Sequence, residues 1–149
     1  MIILNINNIV LVMKRGYKCN MKKLIKVVFS EFNETVSIEL DDSQSPKTVK
    51  AILENLPIEV NINKWGQELY TDRTSIAAQK ENAKSEVSLL DVAFWPAGNA
   101  LCLFYGSTPI NKAGKIVPAS PVNIIGRIIS QGNIIDKVKD TTRVLIKQE

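Results

Sequence analysis

From Leu24 onward the apolar residues fall in short runs rich in valine and isoleucine, broken by polar stretches. Residues 24–30 and 35–40 are two such runs, and Glu31-Phe32-Asn33-Glu34 between them reads as a hairpin. Asp41-Asp42-Ser43 ends the second run as a plain turn. One helix follows. Ser45 suits the N-cap and Pro46 the first helical position, while Val49, Ile52, Leu53 and Leu56 form one apolar stripe and Pro57 stops it. Further strands are predicted over 58–63, 65–70, 88–95, 100–105, 122–129 and 143–147, with Pro96-Ala97-Gly98-Asn99 as a turn. Many short strands with one or two helices point to a mainly β, antiparallel barrel or sandwich, the helix lying over one end. No segment repeats at a period of 20–50 residues.

Residues 100–105 are apolar on both faces, Ala100, Cys102 and Phe104 on one and Leu101, Leu103 and Tyr105 on the other. Residues 92–95 are similar. Such strands lie between an interior and an outer cover, which a helix, a loop or a second subunit would supply. Two polar connections, 71–86 and 106–121, are long enough to serve as lids or binding edges, or else are merely mobile.

At 149 residues the chain is expected to form one domain with a self-sufficient core. The net charge of +4 is local: residues 1–20 hold Lys14, Arg15 and Lys18 and no carboxylate, so the remainder carries 19 − 3 = 16 basic against 15 acidic groups. That is too even to neutralise a row of phosphates, and no nucleic-acid partner is expected. The apolar run 2–13 is too short to span a bilayer and lacks the leading positive charge of a secretory signal, so no membrane partner is expected either. Residues 1–20 read as an N-terminal extension, from an upstream start or as an added edge strand, ahead of a barrel domain over 21–149.

Histidine is absent, which removes Ser-His and Cys-His nucleophile pairs and His-bearing zinc sites. Two cysteines, Cys19 and Cys102, make no disulfide framework and no four-cysteine metal site; a reducing, cytoplasmic setting is the simpler expectation. No glycine pair forms a phosphate-cradling fingerprint, and neither a cofactor nor a metal is expected.

Several blocks occur in order: Glu54-Asn55-Leu56-Pro57, Trp65-Gly66-Gln67-Glu68-Leu69-Tyr70, Asp91-Val92-Ala93-Phe94-Trp95-Pro96-Ala97-Gly98, Phe104-Tyr105-Gly106-Ser107-Thr108-Pro109 and Pro121-Val122-Asn123-Ile124-Ile125-Gly126. Together they resemble a small prokaryotic cyclophilin-like family, from about Met21 to the C-terminus. The resemblance implies a closed antiparallel eight-stranded barrel with one or two capping helices, and it carries no assigned activity. Leu90 stands where that family usually has glycine, which puts the turn before Asp91 in question.

Candidate chemistry is sparse. Reading 65–70 as one strand puts Gly66, Glu68 and Tyr70 on one face and Trp65, Gln67 and Leu69 on the other. Glu68 and Tyr70 would offer a ligand polar contacts, Glu68 acting as an acid if an apolar cavity raises its pKa; the structural alternative has Glu68 holding a buried backbone group or the Tyr hydroxyl. Trp95 would stack on a planar ligand or close the rim of a core. Asp91 would join Glu68 as a second acid or cap a turn. Cys102, with no base to deprotonate it, reads as a small buried hydrophobe. The leading expectation is a module binding a small molecule or short peptide at an aromatic barrel mouth near Glu68, Tyr70, Asp91, Trp95 and Phe104. The alternatives are a peptidyl-prolyl isomerase, for which Arg73, Arg127 and Arg143 all lie outside the matching blocks, and a structural homo-oligomer.

Overall fold

The structure, a computed structural model, describes residues 2–6, 9–14, 18–130 and 132–149. Arg15, one of the charges of the expected extension, lies outside them. In chain order the elements are β1 (Ile2–Ile6), β2 (Ile9–Lys14), β3 (Lys18–Phe29), β4 (Glu34–Asp41), α1 (Pro46–Asn55), β5 (Ile58–Trp65), β6 (Glu68–Thr71), β7 (Asp91–Trp95), β8 (Ala100–Phe104), β9 (Asn123–Ile128), α2 (Ile134–Lys137) and β10 (Thr142–Gln148).

Hydrogen bonding runs β3-β10-β5-β6-β8-β7-β9-β4 and returns from β4 to β3, closing an eight-stranded antiparallel barrel. Closure leaves the ring without exposed edges. β3 is long enough to serve two ladders. Its residues 22–29 pair with β4, while the opposite edge takes β10 at 25–28 and β2 at 18–23, with β1 beyond β2. The 31–34 hairpin is present as a one-turn 3₁₀ segment, Ser30–Phe32, completed by Asn33 at φ 53°.

Alternation along each strand sorts the side chains. Ile25, Val27 and Phe29 of β3, Ile38 and Leu40 of β4, Leu69 of β6, Phe94 of β7, Leu101 and Leu103 of β8, Ile125 of β9 and Ile146 of β10 meet in one interior core, onto which α1 lays Val49 and Ile52. A second, smaller core gathers Val87, Ala93, Cys102, Phe104 and Val122. Its strand residues alternate with interior ones, so it lies on the outer wall of the barrel. The two-faced β7 and β8 are therefore covered outside by the chain's own connections, which contribute Val87 and Val122 and, half-buried, Ile116.

Three sequence expectations change in detail. Residues 65–70 are not one strand: Trp65 ends β5, Gly66-Gln67 is a two-residue loop, and Glu68 begins β6 directly opposite Trp65. The strand expected over 88–95 starts only at Asp91, because Leu90 adopts φ 68° and turns the chain. Ser45 precedes α1 but does not cap it with its side chain. Glu81, from the 71–86 connection, does so instead. Its carboxylate accepts the Lys47 and Thr48 N–H groups at 3.1 and 2.9 Å and the Thr48 hydroxyl at 2.9 Å. Asn123 secures this connection by accepting the Glu81 N–H at 2.8 Å and donating to Gln79 O at 2.8 Å.

Candidate functional site

The site is built on the outward faces of β5–β8. In the tight β5–β6 loop Gly66 takes φ +61°, and a Cβ there would stand 2.8 Å from Pro109 Cδ and from Ser107 O. Glycine thus serves both the turn and the close approach of the 106–121 connection. The contact is fixed by backbone bonds, Gln67 N–H to Ser107 O at 2.9 Å and Tyr105 N–H to Gln67 O at 2.9 Å. Leu69 points into the barrel, so its neighbours Glu68 and Tyr70 point out. On β8 the same alternation sends Leu101 and Leu103 inward and Cys102 and Phe104 outward.

These side chains line a pocket of about 190 Å³. Trp65, Glu68, Tyr70, Trp95 and Cys102 line it from the strands, and Pro118, Ala119 and Val122 from the stretch that leads into β9. That stretch is anchored on both flanks. Thr108 Oγ1 donates to Val117 O, Val87 N–H donates to Ile116 O at 3.0 Å, and Val122 exchanges backbone bonds with Lys84 at 2.8 and 3.0 Å. Trp95 is itself positioned: its indole N–H donates to Ser120 Oγ, and Gly98 packs on its six-membered ring so closely that a Cβ would fall 2.3 Å from Cε3. Gly98 thus makes room for an aromatic wall, while the left-handed residue of that turn is Asn99, at φ 47°.

Glu68 is only 5 % exposed, and its Oε1 is buried with no hydrogen-bond partner among the described residues. Loss of water raises its pKa to about 7, partly countered by a hydrogen bond from the Cys102 thiol. Cys102 in turn is pushed well above the usual thiol range by burial and by the adjacent Glu68 charge. It is a neutral thiol in place, not a primed nucleophile.

Glu68, Tyr70 and Trp95, predicted as site residues, come together here. Phe104 lies directly across the ladder from Glu68 but is fully buried in the outer core and does not line the pocket. Asp91 is elsewhere. Its Oδ2 accepts the Ser88 N–H at 2.8 Å, a turn-capping bond, and it borders a separate groove with Asp41 and Arg127. The expected barrel mouth is replaced by a pocket on the outer wall, because the interior is filled with apolar side chains. Trp65, Cys102, Pro118 and Ala119 were not anticipated. The two-residue loop in Trp65-Gly66-Gln67-Glu68 was the available signal for Trp65: a hairpin there places it beside Glu68 rather than behind it. A larger groove, about 530 Å³, runs along Lys47, Ala77, Ala78 and Glu81, but its carboxylate is already committed to α1.

A family model described as cyclophilin-like matches residues 23–147. The chain is also similar to a hypothetical protein from Archaeoglobus fulgidus whose solution structure is known, with 38% identity, 91% of this chain and 100% of that one covered, and a TM-score of 0.75. None of the curated proteins matches.

Proposed function

The chain belongs to the cyclophilin-like family, and from that premise we propose that it is a binding module whose small-molecule site is the Glu68 cavity on the outer barrel wall. One observation carries this reading: a carboxyl group deprived of water shares the lining of an apolar pocket with three aromatic side chains. A carboxyl group held out of water gains from a donor brought to it, since an unsatisfied buried polar group costs about 1–3 kcal/mol. Pockets for drug-sized molecules usually reach some 300 Å³ or more, so about 190 Å³ suits a fragment-sized compound or one peptide side chain.

The isomerase alternative gains no support from the cavity, where no arginine stands among the described lining residues. The two-faced strands that suggested a second subunit are covered within the chain. A reducing, cytoplasmic setting accords with the buried free thiol of Cys102. Among the described residues no helix is long and apolar enough to cross a membrane.

The test is a thermal-shift screen of small metabolites against the full chain and against Ala119→Trp, which fills the pocket from the stretch leading into β9. A ligand at 100 times its Kd adds about 2.7 kcal/mol to the native protein. Hits are expected to stabilise the native chain and not the filled variant. Equal stabilisation of both would move the site elsewhere, and a prolyl-peptide isomerisation rate above background would revive the enzyme reading.

A further inference from the structure

We propose that the Glu68 cavity selects a protonated amine, a small organic ammonium group that pairs with the Glu68 carboxylate beside Trp65, Tyr70 and Trp95. The inference rests on the reading of this cavity as a binding site and adds the class of ligand.

The first argument is charge. Among the described residues that line the pocket from β5, β6, β7, β8 and the stretch 118–122, the titratable groups beside Glu68 are the Tyr70 phenol and the Cys102 thiol. No lysine or arginine among the described residues lines the cavity, so an ionised Glu68 has no counter-ion. A buried carboxylate in apolar surroundings is strongly unfavourable unless it is paired. A neutral donor would bond to the carboxylate but leave the charge uncompensated, whereas an ammonium group supplies both donor and countercharge. An anionic ligand would face Glu68 directly and meet no compensating cation.

The second argument is the wall. Three aromatic side chains, all half-buried, share the pocket lining with the carboxyl. Aromatic faces attract cations through their quadrupoles, most strongly for tryptophan and where water is excluded. Trp95 is held in place by Ser120 and Gly98, so little ordering remains for a ligand to impose. A carboxylate alone would accept any donor, and aromatic walls alone any flat apolar group. Their combination favours a cation bearing hydrogens.

A linkage follows from burial. Burial lifts the Glu68 carboxyl pKa to about 7. A bound cation favours the charged carboxylate and draws that midpoint down, so binding expels a proton at pH values just below it. Affinity is therefore full above pH 7 and falls as pH drops.

The experiment titrates the full chain with cyclohexylammonium and with cyclohexanol, two probes of the same shape and different charge, at pH 8.5 and 5.5. Binding is followed by calorimetry and by the indole NMR signals of Trp65 and Trp95. The ammonium probe is expected to bind roughly 30-fold more weakly at pH 5.5 than at 8.5, given one group titrating near 7. It is also expected to release a proton into buffer at pH 6.5, and to lose both behaviours in Glu68→Gln. Cyclohexanol is expected to bind weakly at both pH values. Acetyl-Gly-Lys-Gly-amide, run alongside, tells a lysyl side chain from a free amine by which binds more tightly. Equal binding of cyclohexanol and cyclohexylammonium at both pH values would overturn the amine selectivity while leaving the pocket standing. Silence of both probes, with no indole shift, would remove the pocket as well. The pH profile of the unmodified chain carries the test even if Glu68→Gln does not fold.

Discussion

Leu90 shows how much one residue can be made to bear. Its φ of 68° is a conformation that a side chain resists, yet the backbone is clamped there, with Leu90 N–H donating to Phe104 O at 2.7 Å and Ile128 N–H to Leu90 O at 2.9 Å. The turn before Asp91 that glycine usually makes in the family it resembles is retained here with leucine in the left-handed region. Its side chain meanwhile packs on the interior core, half-buried. Truncating it separates the two contributions. Leu90→Ala loses the packing and keeps the strain, whereas Leu90→Gly loses the packing and relieves the strain. Glycine is expected to be the more stable variant by about 1 kcal/mol, reversing the order found in ordinary strand positions. Urea unfolding of the two variants checks this, and alanine matching or exceeding glycine would show that the turn is unstrained.

At the scale of elements, α1 depends on a connection distant in sequence. Propensity and spacing predicted the helix and its buried stripe, but not what holds its first turn, since Glu81 lies 33 residues beyond Thr48. Burial alone would push the Glu81 carboxyl up; the hydrogen bonds from Thr48 and Lys47 hold it below its ordinary value. Helix starts favour an acceptor and a negative charge, and this carboxylate supplies both. Glu81→Ala is expected to cost about 1–2 kcal/mol, the upper range of a lost cap, and to loosen the 71–86 connection along with the helix. Hydrogen exchange at the Lys47 and Thr48 amides is the measurement; unchanged protection would mean water replaces the carboxylate at no loss. Local rules of this kind see neighbours within a few residues. That is why the helix was legible in the sequence and its cap was not, and why Trp65, displaced by a loop of two residues, was assigned to the wrong side of Glu68.

Across the whole molecule the barrel was readable because its interior imposes a period of two on most of the eight runs, the two-faced 92–95 and 100–105 excepted, and the ordered blocks suggested their arrangement. The pocket was only half readable. Glu68 and Tyr70 announce their shared face through alternation, but part of the lining comes from Pro118 and Ala119, whose position depends on how a long connection folds back. We propose that residues 1–20 are dispensable to this closed ring, since the β3 pairings with β4 and β10 all begin at residue 22 or later. A chain beginning at Met21 is expected to melt within a few degrees of the full one, corresponding to less than about 1 kcal/mol; collapse of its cooperative transition would make β1 and β2 part of the fold. The outer position of the cavity carries a further consequence. Between Leu69 or Leu103 on one side and Glu68 or Cys102 on the other there is a partition a single strand thick. Selection can rework that connection and the outward residues, trading one specificity for another, while the inward residues continue to seal the cylinder, so chemistry and architecture can diverge at different speeds along the same few strands.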